Sequence, residues 1–60
     1  MSNHEAEYVE AREAVHTASN LTEKAAAEKL AARIARKGGF YGTGRELALD
    51  AAARSNVKEA

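Results

Sequence analysis

Apolar side chains recur along this chain at helical spacing in three blocks, and each block opens on a residue suited to cap a helix. In the first, Tyr8, Ala11, Val15 and Ala18 fall in one stripe at about 100° per residue, with Val9 outside it. Ser2 and Glu5 have the spacing of a capping box, and Glu5, Glu7, Glu10 and Glu13 lie early, where the helix dipole favours acids. The pattern predicts a helix over about 4–19.

The second block restarts at Asn20 or Thr22. Asn20 with Glu23 again makes a capping box, and Leu21 before Thr22 is placed to staple onto Ala26. Strong helix formers then run to Lys37, with a core stripe of Ala26, Ala27, Leu30 and Ile34. Gly38 or Gly39 supplies the left-handed C-cap, which predicts a helix over about 22–37.

Thr43 with Glu46 opens a third helix over about 44–56. Leu47, Ala48, Ala51 and Ala52 form one face. Leu49 and Ala53 carry apolar character round to the back, and only Glu46, Asp50, Arg54 and Val57 form a polar strip. A helix apolar over most of its circumference is buried on more than one side, which calls for a partner or a second copy. No strand periodicity occurs. The expected fold is all-α: residues 1–60 form a single small three-helix domain, helix–short turn–helix–glycine loop–helix, completed by dimerisation or a partner.

Composition sharpens that expectation. Of 60 residues, 15 are alanine, and beyond Met1 only eleven large apolar side chains are available for a core. There is no cysteine and no proline, so neither disulfides nor thiolate zinc can staple so short a chain. Packing or association is the remaining source of stability. Net charge is zero, yet residues 1–28 carry −4 and residues 29–60 carry +4. That asymmetry points to head-to-tail complementarity or to separate acidic and basic faces. No apolar run approaches a membrane span and no signal segment opens the chain, so a cytoplasmic location is expected. The size class, opening on methionine, is that of small bacterial and phage regulators.

Candidate chemistry concentrates in Gly38–Gly44, which holds all four glycines and two of three aromatics. Amides at the start of helix three, beside Arg45, could seat an anion. Gly39 and Gly44 even span a P-loop, but Arg45 and Glu46 stand where lysine and serine or threonine are needed, and no strand precedes. The loop reads better as a corner in which Phe40 or Tyr41 folds back as a lid on the sparse alanine core, which needs both rings. An intermediate reading keeps one ring inside and displays the other as an anchor. The residues expected to bind protein are therefore Phe40, Tyr41, Leu47, Leu49 and Ala53.

A basic strip, Lys29, Arg33, Arg36 and Lys37, joined across the loop by Arg45, is the candidate for nucleic acid or another anion. As a helix-turn-helix the chain is poor, because the loop is long and helix three offers mostly alanine and leucine to base edges. The acidic array, Glu5 to Glu13 with Glu23 and Glu28, reads as a solvated face or a docking site for a basic surface. His4 and His16 have no ligand spacing, although Glu13 is placed to pair with His16. No nucleophile–base motif occurs, so neither metal, cofactor nor catalysis is expected. The leading expectation is a non-enzymatic interaction module acting as a homodimer or on a larger protein. The alternative is a small dimeric DNA-binding regulator using the basic strip.

Overall fold

Each helix starts where a short polar side chain can bond the first free amides. The computed structural model describes residues 2–59, which form α1 (Asn3–Thr17), α2 (Leu21–Gly38) and α3 (Gly44–Glu59). At α1 the Glu5 amide donates to Ser2 Oγ at 3.2 Å and the Ser2 amide donates to Glu5 Oε1 at 3.1 Å. At α2 the Glu23 amide donates to Asn20 Oδ1 at 2.8 Å. The Glu23 carboxylate reaches back to the Ser19 amide at 3.2 Å and hydroxyl at 2.8 Å. At α3 the Glu46 amide donates to Thr43 Oγ1 at 3.3 Å, while the Gly42 amide donates to Glu46 Oε1 at 2.9 Å. Asn20, not Thr22, caps α2, so Leu21 is the first helical residue and is exposed. The expected staple onto Ala26 does not form.

The close of α2 is a Schellman motif. The Gly39 amide donates to Arg36 O at 3.2 Å and the Phe40 amide to Ala35 O at 3.0 Å. Gly39 sits at φ 78°, a left-handed conformation that glycine adopts without penalty. The motif swings Phe40 inward, where it is 6% exposed and meets Tyr8 edge-on at a centroid distance of 5.3 Å. Its ring occupies the space beside Gly38 that a side chain there would need. A methyl there would strike Phe40 and come within 3.0 Å of His4 Cβ.

α1 is the middle element. Both α2 and α3 pack along it and scarcely touch each other. The core joins Tyr8, Val9 and Ala11 of α1 to Ala31 and Ala35 of α2, Phe40 of the loop, and Leu49 and Ala53 of α3, with Ile34 packed beside them. Because α1 is sandwiched, its buried arc is wide and includes Val9, which a single stripe leaves out. On α2 the buried residues are Ala31 and Ala35, and Leu30 of the expected stripe is half-exposed.

On α3, Leu49 and Ala53 pack inward, while Leu47, Ala48, Ala51 and Ala52 are exposed. Apolar residues surround this helix almost evenly, so periodicity selects no face and only the tertiary contacts fix its rotation.

Gly38→Ala should lower stability by about 1–3 kcal/mol through overpacking against Phe40. Gly44→Ala, which meets nothing within 4 Å, should be neutral or mildly stabilising. Urea denaturation followed by circular dichroism measures both. Equal effects would contradict the role given to Gly38.

Candidate protein-interaction surface

What holds α3 in this rotation is an ionic contact that its polar strip makes with α1. Arg12 Nε donates to Asp50 Oδ1 at 2.7 Å, and His16 Nε2 meets the same oxygen at 2.9 Å. Arg54 Nε reaches Asp50 Oδ2 from one turn away at 3.2 Å. Arg12 and His16 are four residues apart, hence on one face of α1, and Asp50 is carried between Leu49 and the core-facing turn of Ala53. Burial pushes the Asp50 carboxyl up, but the hydrogen bonds from Arg12 and His16 outweigh it and hold it below its ordinary value. His16 therefore bonds across to α3 instead of pairing with Glu13. Glu13 accepts from Asn56 Nδ2 at 2.7 Å. Sequence reading missed this cluster, although an aspartate in an otherwise apolar helix and an Arg–His pair at i, i+4 were visible signals.

At the other end of α1, Arg45 Nε donates to Glu5 Oε2 at 2.7 Å, and that hydrogen bond draws the Glu5 carboxyl down to about 2. Arg45 is thus turned onto α1 and does not join the basic strip across the loop. Within the loop, the amides of Gly39, Phe40, Gly42 and Thr43 are bonded inside the chain, the Gly42 amide to the Glu46 carboxylate.

The five residues expected to bind protein divide cleanly. Phe40, Leu49 and Ala53 are core residues of a single chain, the reverse of displayed anchors, because α3 turns its Leu49 side inward and the Schellman motif turns Phe40 in. Tyr41 remains 51% exposed and Leu47 72% exposed. The Arg36 guanidinium covers one side of the Tyr41 ring, 4.6 Å from its centroid.

Tyr41 and Leu47 stand on the rim of a groove of about 420 Å³ between α2 and α3. Its floor is Tyr8 and Arg12 of α1, and its walls carry Ala32 and Glu28 of α2 opposite Glu46 and Asp50 of α3. Burial, with the Glu46 carboxylate beside it, pushes the Tyr8 phenol up to about 12, so it stays a neutral donor. Leu21, Ala25, Glu28 and Ala32 follow at i, i+4, i+7 and i+11, which aligns Leu21 with this same wall. Of the four exposed large apolar side chains among the described residues, three (Leu21, Tyr41 and Leu47) therefore share the α2–α3 face. Leu30 lies elsewhere, in a groove between α1 and α2 that also holds Glu7, Glu10, Arg33 and Lys37.

Lys29, Arg33, Arg36 and Lys37 are all exposed and share the outward face of α2. Arg36 stacks on Tyr41, and Arg33 and Lys37 border a bank of glutamates, so the strip is partly neutralised. Among the described residues no cluster of histidine and carboxylate side chains is placed to hold a metal ion, and no helix is long and apolar enough to cross a membrane. No protein-family model matches the chain, and comparison with curated proteins and with solved structures gives no match to either.

Asp50→Asn should cost about 1–3 kcal/mol near neutral pH, since a charged partner of part-buried Arg12 and His16 is lost. The folded-state pKa of Asp50 lies below its unfolded value, so its contribution is complete above about pH 4 and fades as pH falls through the folded value. Thermal melts of the two proteins should converge as pH is lowered toward about 2. A gap that stays constant with pH would contradict the ionic role.

Proposed function

We propose that this protein is a non-enzymatic helical interaction module that works by docking its α2–α3 face against protein, either a further copy or a larger partner whose activity it modulates. One observation carries the reading: Leu21, Tyr41 and Leu47 converge on a single grooved face, while the remaining large apolar side chains are mostly used in the core. Leu47 is the natural anchor, a large aliphatic side chain left in water beside a groove. Tyr41 is the second, its ring held by Arg36 and its edge free. The exposed charged groups beside the groove, Glu28, Arg36 and Arg54, supply orientation at the rim.

Nucleic-acid binding through the outward face of α2 is the second reading. What favours it is that Lys29, Arg33, Arg36 and Lys37 are exposed on one helical stripe. Against it stand the zero net charge and the glutamates across the neighbouring groove.

Affinity capture from the native host, with and without nuclease, separates the two. The wild-type chain should retain a protein partner after nuclease treatment. Leu47→Asp should lose it and Tyr41→Ala should retain it weakly, both with native helicity. Recovery that depends on nucleic acid and is abolished by Arg33→Ala with Arg36→Ala would replace the first reading by the second.

A further inference from the structure

We infer that the occupant of the α2–α3 groove is a second copy of this chain, arranged about a two-fold axis parallel to the helices so that Leu47 of each copy enters the groove of the other. The inference rests on the proposed interaction role of this face and adds the identity and orientation of the partner.

Two symmetric arrangements of two such faces are available, and charge with level decides between them. α2 ends at Gly38 and α3 begins at Gly44, so both are anchored at the loop end of the molecule. Glu28 lies ten residues back from that end along α2, and Arg54 ten residues forward along α3, each about 15 Å from the loop end at the rise of an α-helix. With the axis parallel to the helices, α3 of one copy lies along α2 of its partner with loop ends together. Arg54 then stands level with Glu28 across the interface, and this occurs twice. Ala51 and Ala32 are level as well, which allows close approach, and Leu47 falls over the region of Ala32 and Tyr41. The other two-fold, perpendicular to the helices, sets α2 against α2 and α3 against α3 in opposite directions. It places Leu47 toward Arg54 and Lys58 and brings Glu28 close to Glu28. Unlike charges meet along α3 in the second arrangement too, but only the first pairs Glu28 with Arg54 and keeps Glu28 from Glu28, and an isologous contact of that kind closes at two copies.

Each end of the proposed ion pair is available for it. The Arg54 side chain is 68% exposed and contacts Asp50 through its Nε, and a guanidinium has donors enough for a second carboxylate. Glu28 is exposed on the groove wall. The groove is open beside a leucine that has no cover in the single chain, so each copy offers both the knob and the hole.

Sedimentation equilibrium of the full chain across micromolar concentrations, with helicity checked by circular dichroism, tests this. The wild type should approach twice the monomer mass and stop there. Leu47→Asp should raise the dissociation constant roughly thirty-fold or more. Glu28→Arg and Arg54→Glu should each weaken the dimer, and the double variant should recover most of the loss, a coupling that independent sites do not show. A wild type that stays monomeric at hundreds of micromolar overturns the inference. A dimer that survives Leu47→Asp overturns the inference, and loss of captured protein by the same variant then shows separately that the face still docks a larger partner. A dimer lost with Leu47→Asp but not restored by the double exchange keeps the face and overturns the orientation.

Discussion

The placement of α3 depends on the contact of Asp50 with Arg12 and His16. Hydrophobic burial alone hardly distinguishes the two sides of this helix. One side offers Leu49, Ala53 and part-buried Val57, the other Leu47 and three alanines. That difference amounts to a methylene or two, at about 0.8 kcal/mol each. A hydrogen bond to a charged group contributes about 1.5–3 kcal/mol, and Asp50 accepts from two residues of α1. The polar term therefore selects the face. Its effect is less to add stability than to choose one packing over a near-equal competitor, which is the use of part-buried charge best suited to a core of alanines.

The loop enforces the same choice from the other end. Gly39 in a left-handed conformation and Gly38 without a side chain let Phe40 drop onto Tyr8, which fixes where the chain re-emerges to start α3. Thr43 then ties its hydroxyl to Phe40 O at 2.6 Å and caps α3 with the same atom. Once Phe40 is inside, Tyr41 must face out, and once Leu49 is inside, Leu47 must face out. The displayed pair is thus a consequence of the buried pair, and the surface proposed for binding follows from the core.

Much of this was legible in the sequence, and for identifiable reasons. All three helices and their caps are written in local spacing: Ser2 with Glu5, Asn20 with Glu23, Thr43 with Glu46, and the glycines after Lys37. Such signals act within four residues and need no tertiary context. The choice of faces was less legible. Val9 is buried because α1 has neighbours on two sides, which one stripe cannot express. The inward face of α3 could not be read from the pattern because its apolar residues are nearly isotropic. The deciding pair, Asp50 with Arg12, is 38 residues apart, beyond any local periodicity. Spacing leaves open whether Phe40 and Tyr41 are core or displayed, and the Schellman hydrogen bonds decide it.

The rotation of α3 is the central claim, and two adjacent alanines report on it directly. The chain has no cysteine, so single-cysteine variants Ala52→Cys and Ala53→Cys give unambiguous thiol chemistry. Ala52 is exposed and outside the proposed dimer contact, whereas Ala53 is fully buried. Under native conditions the cysteine at 52 should react with a thiol reagent at close to the rate of an unfolded peptide, and the one at 53 should be slowed roughly a hundred-fold or more by the free energy of opening. Protection at 52 with ready reaction at 53 would mean that α3 packs through its other face, contradicting both the Asp50 contact and the surface built on it.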